Sequence, residues 1–414
     1  MLNTSAFSPF LAGADRPPLW FAVFALALLV SGCTSQRRPA TADDPEMRRY
    51  AERAYQPERR YVAETYSESW LSSDPAAPGE IPVTLTLPRE AGRYPLIVYL
   101  PGLGESVEAG RSWRTAWVAA GYAVLSLQPN RFGAAALQGR YAKNADFTAL
   151  ARENYATAAL NERLRAVDSV LLELDKRLAR GTPPFDRIDP AATVLAGYDL
   201  GAQTVQALAG ESSSGVNLPV LKNPPRAAIL LSPYANAAGG GFAKRFGAIR
   251  IPVFAATATE DSDSFAVVTS LAARLAPFTY MPEGDKYLLL LSGGSHRVLS
   301  GGPPQVQEAP EAGRGESAGP GGGGLGSGGG PGGGGGGMPS GGGRGGPGGG
   351  IRGVAALGGM SAFPVANSAR QVIAIQRLSV AFLDAQVKKD PIAEEWLARD
   401  AERWLEPVGE LRRK

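Results

Sequence analysis

Short, almost wholly apolar runs alternate with amphipathic helical stretches along most of this chain, and that alternation leaves few folds open. LIVYL (Leu96–Leu100), YAVLSL (Tyr122–Leu127), Thr193–Ala196, AAILL (Ala227–Leu231), IPVFAA (Ile251–Ala256) and YLLLL (Tyr287–Leu291) read as strands buried on both faces, and IPVTLTL (Ile81–Leu87) as a strand with one buried face. Between them lie helical patterns. Ser112–Ala120 stops at Gly121, and Asn161–Leu178 brings Leu164, Val167, Leu171, Leu174 and Leu178 to one side. Ala202–Ala209, the short Ser270–Leu275 and the long Ala369–Lys388, with Val372, Ile375, Leu378 and Phe382 on one face, follow the same logic. A last amphipathic helix carries Trp396 and Trp404. The pattern predicts an α/β protein with a mostly parallel, twisted sheet and helices on both faces. Ligands on such sheets bind beyond the carboxyl ends of the strands.

Two segments stand outside that pattern. Leu19–Val30, LWFAVFALALLV, is too short to span a bilayer, which takes about 20 apolar residues. It precedes Ser31-Gly32-Cys33, with Arg16 the only basic residue ahead of it. An apolar core followed by small residues describes a secretory signal peptide. V-S-G-C resembles a bacterial lipobox, in which the cysteine is lipidated after cleavage. Cys33 is the only cysteine, so no internal disulfide can form. The expectation is a signal peptide over 1–33 and an envelope protein anchored to a membrane by lipid on Cys33. Thr34, rather than Asp, follows the cysteine, which by resemblance favours the outer membrane of a Gram-negative cell. Residues 34–57 read as a tether. The second segment, Gly301–Gly353, holds about half of the 53 glycines and offers almost nothing to bury, so it reads as a disordered insertion. The body that carries the alternating pattern then spans 58–300, completed by the C-terminal helices of 354–414.

Composition removes several functions. A net charge of +3, spread along the chain, marks no nucleic-acid surface. With one cysteine and one histidine a zinc site is nearly ruled out, and nothing calls for a metal or other cofactor. The expected partner is a small-molecule substrate.

Four features fall at predicted strand ends: Pro101-Gly102-Leu103-Gly104, Asp199 within LAGYDLGAQ, Asp261 within TEDSD, and His296, the only histidine. In chain order they resemble the oxyanion loop, nucleophile elbow, acid and base of the α/β-hydrolase fold. The stretches IPVTLTLP after Trp70, YPLIVYLPGLGES, GYDLGAQ, IPVFAATATEDSD, LLLLSGGSHRVLSG and AFLDAQVKKD resemble the branch of dienelactone hydrolases and platelet-activating-factor acetylhydrolase-like enzymes. The resemblance covers roughly Trp70–Lys389 apart from the glycine tract. It implies an α/β-hydrolase fold and hydrolysis of small ester- or lactone-like substrates. His296 would be the base and Asp261 its acid, with Asp263 and then Glu260 as alternatives. The backbone amides of Leu103 and Leu200 would form the oxyanion hole. Only about twenty residues separate Leu231 from Ile251, too few for a cap domain there.

Asp199 stands where that branch keeps Ser or Cys. A carboxylate at a strand-to-helix turn needs no base to activate it and can attack a saturated carbon. Epoxide hydrolases and haloalkane dehalogenases, which share this fold, carry Asp at the elbow; they place Trp after it, where this chain has Leu200, and their oxyanion loop has an H-G-x-P form that is missing here. Attack on an ester carbonyl would give an anhydride. Three readings stay open: Asp199 as nucleophile, Asp199 as general base on water, or a relative that has lost its chemistry and binds a small molecule or envelope partner.

Overall fold

The computed structural model describes residues 44–76, 78–236, 241–263, 265, 267–268, 270–302 and 364–414. The expected signal peptide, Cys33 and nearly all of the glycine tract lie outside the described residues. Nine strands form one sheet: β1 (Ala63–Leu71), β2 (Glu80–Pro88), β3 (Tyr94–Leu100), β4 (Ala123–Leu127), β5 (Ile188–Tyr198), β6 (Ala227–Leu231), β7 (Val253–Glu260), β8 (Lys286–Ser295) and β9 (Gly409–Arg413). Their spatial order is β1-β2-β4-β3-β5-β6-β7-β8-β9. The six strands from β4 to β8 in that order are mutually parallel. β1, β2 and β9 pair antiparallel at the two edges.

The longer helices are α1 (Pro45–Glu52), α2 (Arg111–Ala119), α3 (Phe147–Tyr155), α4 (Thr157–Arg180), α5 (Leu200–Leu208), α6 (Leu271–Tyr280), α7 (Pro364–Leu383) and α8 (Pro391–Arg399). Successive strand residues point to opposite faces, so each central strand feeds two apolar layers. Ile97 and Tyr99 of β3, with Val124, Val194 and Phe254, meet Trp113 and Trp117 of α2 and Leu378 and Phe382 of α7. Leu96 and Val98, with Leu125, Leu195 and Leu230, meet Val167, Val170 and Leu174 of α4 and Val205 of α5. Burying a large apolar side chain fully stabilises by about 2–3 kcal/mol. Helices therefore cover both faces, as the apolar runs require. α4 ends at Gly181, whose φ of 63° lies in the left-handed region, a common helix stop.

Three parts differ from the sequence reading. The tether expected over 34–57 ends earlier: Pro45–Glu52 is helical, capped by Asp44, and Met47, Ala54 and Tyr55 are buried. The charged residues of this segment mask apolar ones spaced three or four apart. Residues 130–155, between β4 and α4, fold into short turns and α3. They bury Phe132, Leu150 and Tyr155 against Leu103, Leu200, Tyr234 and Val268, all of which follow strand ends. The last amphipathic stretch is two helices, α8 and the short Ala401–Leu405, meeting at Asp400. Among the described residues no helix is long and apolar enough to cross a membrane.

Candidate active site

The turn around Asp199 is dictated by its neighbours. β5 ends at Tyr198 and α5 begins at Leu200, so one residue must reverse the chain. Asp199 does so with φ 52° and ψ −109°, a region that residues with a Cβ rarely occupy and that costs roughly 1–3 kcal/mol. The flanking glycines are obligatory. A Cβ on Gly197 would lie 2.5 Å from the Gly201 carbonyl, and one on Gly201 would lie 1.9 Å from the Leu100 carbonyl oxygen. Asp199 occupies the cap position of α5, yet its carboxylate makes no cap hydrogen bond. The side chain is buried and directed at His296 instead, with Oδ1 3.7 Å from Nε2.

β7 and β8 are parallel neighbours, and Glu260 lies opposite Ser295. The next residues, Asp261 and His296, are therefore adjacent. Asp261 Oδ1 lies 2.6 Å from His296 Nδ1. An ionised carboxylate only accepts, so Nδ1 carries the proton and Nε2 faces Asp199. Burial pushes the Asp261 carboxyl up, but the His296 hydrogen bond, the Arg274 charge and the Thr257 hydroxyl outweigh it and hold Asp261 below the usual carboxylate range. Thr257 Oγ1 donates to Oδ2 at 2.6 Å, and Ser232 Oγ lies 2.8 Å from both oxygens and 3.0 Å from His296 Nδ1. Arg274, fully buried, donates to the carbonyls of Asp261, Ser232 and Pro233 and lies 3.5 Å from Asp261 Oδ2. Tyr198 braces the other side: its ring lies 5.1 Å from the imidazole, and its hydroxyl donates to the His296 carbonyl.

The two alternative acids lie elsewhere. Asp263 accepts from the backbone N–H groups of Phe265, Val267 and Val268 at 2.8, 3.1 and 2.6 Å, so its carboxylate closes its own loop. Glu260 is exposed. On the opposite flank, the amides of Leu103 and Leu200 meet no acceptor among the described residues, and their side chains share one apolar cluster. Gln128 Nε2 holds the intervening loop by donating to the Gly102 carbonyl at 2.9 Å.

Two further groups reach Asp199. The Tyr155 hydroxyl approaches its carboxylate; burial first, then the Asp199 charge, pushes that phenol well above its ordinary value. Tyr155 is fixed by its stack on Tyr234, at 4.9 Å, and by Gln203 Nε2 donating to its carbonyl. Gln203 is in turn held by the buried Arg163. Glu105 Oε2 accepts from the Gly102 N–H at 2.8 Å. Burial, with the Asp199 charge adding to it, raises Glu105 to about 7 against the pull of the Gly102 hydrogen bond and His296. Tyr155 also lines a cleft of about 600 Å³ together with Gln203, Tyr234 and Arg245.

The sequence reading named Asp199, His296, Asp261, Leu103 and Leu200, and the structure brings the first three together. It did not name Ser232, Thr257, Arg274, Tyr155 or Glu105. One signal was present: Arg274 is the only charge in the helix LAARLAPFTY. No protein-family model matches the chain, and a search of the curated proteins returns no significant match.

Proposed function

We propose that this chain is an exported, lipid-anchored hydrolase of the α/β-hydrolase fold that cleaves small ester- or lactone-like substrates through Asp199, His296 and Asp261. The observation that carries the reading is the buried relay itself. A carboxylate on a strained backbone, with no cap hydrogen bond to its own helix, faces an imidazole whose far nitrogen is fixed at 2.6 Å by a second buried carboxylate. Backbone strain of this kind persists only where the surroundings enforce it, and it clusters at functional sites.

In this reading water is the attacking group. The 3.7 Å between Asp199 Oδ1 and His296 Nε2 is too long for a direct hydrogen bond, but a water beside the pair reaches both. Nε2 takes its proton as the oxygen adds to the substrate carbonyl, and Asp261 stabilises the imidazolium. The amides of Leu103 and Leu200 receive the developing oxyanion. The proton then passes to the leaving alkoxide. This route avoids the anhydride that direct attack by Asp199 would require. The fold assignment draws support from the central parallel strands, the strand-to-helix elbow and the order elbow, acid, histidine along the chain. Residues 130–155 would cover the site, in place of an inserted cap domain.

A second reading rests on Tyr155. A phenol beside a carboxylate nucleophile suits opening of an epoxide. Asp199 attacks the ring carbon, the C–O bond breaks, and Tyr155 protonates the departing oxygen. Water activated by His296 then hydrolyses the Asp199 ester.

One experiment separates the two. Single turnover in heavy-oxygen water, across panels of esters, lactones and epoxides, is followed by mass spectrometry of the peptide carrying Asp199. Activity without label in Asp199 supports water attack, and label there supports the covalent route. No turnover on any panel, in the wild type and in Asp199→Ser alike, would leave a binding protein.

A further inference from the structure

A second site lies away from the Asp199 relay and does not depend on it. α1 packs against the end of α7, α8 and the short helix Ala401–Leu405, and between them opens a cleft of about 630 Å³. Its wall is aromatic. Tyr50 stacks on Trp404 at 4.5 Å with the rings 14° apart, and Trp396 lies 5.6 Å from Trp404. The Trp404 indole N–H donates to the Tyr50 carbonyl at 3.0 Å, so the platform is held from both sides.

The rim is rich in arginine. Arg370 is paired with Glu46, and Arg403 with Asp400 at 2.8 Å. Arg49 on α1 and Arg53 just past its end line the cleft and make no ion pair or side-chain hydrogen bond among the described residues. Glu406 is the remaining acid on the rim. On two residues that line the cleft, the Tyr50 hydroxyl and Arg370 Nε are sealed from solvent and have no hydrogen-bond partner among the described residues. Leaving such a group unpaired costs about 1–3 kcal/mol, so unpaired groups are rare and call for a cause. Arg370 Nε can only donate, and the Tyr50 hydroxyl has a proton to give. Neither meets an acceptor among the described residues, and the cleft beside them sets four arginines against three carboxylates over a floor of stacked rings.

We propose that this cleft binds an organic phosphate, with the phosphate oxygens on Arg49 and Arg53 and, as ligand entry uncovers them, on Tyr50 and Arg370, and with an apolar or ring portion lying against Trp404 and Trp396. Guanidinium groups recognise phosphate through charge-assisted hydrogen bonds, and the aromatic faces distinguish a phosphate ester from the bare ion. The phosphate could belong to a free metabolite or to a lipid headgroup. α1 begins twelve residues after Cys33; an extended chain of that length reaches about 40 Å. If Cys33 carries lipid, the cleft lies within reach of headgroups.

The test titrates the full chain with four probes, following tryptophan fluorescence and thermal unfolding: phenyl phosphate, inorganic phosphate, dihexanoyl phosphatidylglycerol and dihexanoyl phosphatidylcholine. Phenyl phosphate is expected to saturate at least 10-fold more tightly than inorganic phosphate, and Arg49→Ala with Arg53→Ala to weaken it at least 10-fold. Tyr50→Phe is expected to weaken binding and also to raise the melting temperature of the unliganded protein, because it removes an unpaired buried hydroxyl. Phosphatidylglycerol binding more tightly than phenyl phosphate, with phosphatidylcholine inert, would assign a lipid headgroup; the reverse order would assign a soluble phosphate ester. The proposal is overturned if phenyl phosphate does not bind at millimolar concentration, or if its affinity is unchanged by the paired arginine substitutions.

Discussion

Replacing Asp261 by Asn tests the relay and the core around it in one variant. The side chain is isosteric, but one oxygen becomes an amide donor. In the native site Oδ1 takes His296 Nδ1 and Ser232 Oγ, while Oδ2 takes Thr257 Oγ1 and Ser232 Oγ and faces Arg274 at 3.5 Å. The amide must meet one of these donor sets head-on, and the fully buried Arg274 loses its nearest counter-charge. Breaking one side of a buried pair costs roughly 3–5 kcal/mol. Arg274 keeps three backbone carbonyls and a second carboxylate, Asp263, at 3.6 Å, so the low end applies, about 3 kcal/mol at pH 7. With a urea slope near 3 kcal/mol/M, the unfolding midpoint falls by about 1 M. The pH dependence has a definite sign. Asp261 is held below the ordinary carboxylate range, so its stabilisation is present above its unfolded value of about 3.9 and lost as pH falls through its native value. The gap between wild type and variant therefore closes in acid. If the relay hydrolyses substrate, turnover falls about 10³–10⁴-fold, because the ring adopts the other tautomer and presents N–H instead of a lone pair at Nε2. A stability loss under about 1 kcal/mol at pH 7, or one that persists undiminished at pH 3, would refute the account.

Gly201→Ala should destabilise by about 3 kcal/mol, because its Cβ would meet a backbone oxygen at 1.9 Å; Gly181→Ala, with open space around it, should cost only about 1 kcal/mol of backbone strain. Urea titration of the pair checks both, and equal costs would contradict the close approach. Asp199→Gly should be more stable than Asp199→Ala by about 1 kcal/mol, since both remove the carboxylate and only glycine accepts φ 52° without strain. Glu105, raised to about 7, contributes stability that is fully present below its unfolded value and lost as pH rises through about 7; Glu105→Gln should flatten the stability-against-pH curve between those limits. A wild-type curve already flat across that window would count against the burial of this carboxylate.

What the sequence alone determined is local. Apolar runs of five or six residues make strands wherever they are covered on both sides, and the three-and-four spacing of Val167, Leu171 and Leu174 makes a helix in any context that hides one face. Glycines two residues either side of Asp199 mark a sharp turn because only they tolerate the approach. Charge-rich segments misled, as in α1 and the residues just after it, where Met47 and Tyr55 are few among arginines and glutamates and become buried only because the C-terminal helices wait for them. Tertiary structure decided which acid serves His296. Asp261 and Asp263 are two residues apart and chemically identical, and Arg274 lies within 3.6 Å of both; the pairing of β7 with β8 aims one at the ring, while three backbone amides claim the other. It also brought Tyr155 and Glu105 to Asp199, from positions 44 and 94 residues upstream. Contacts of that range depend on how the whole sheet closes, and no pattern within a single stretch of chain encodes them.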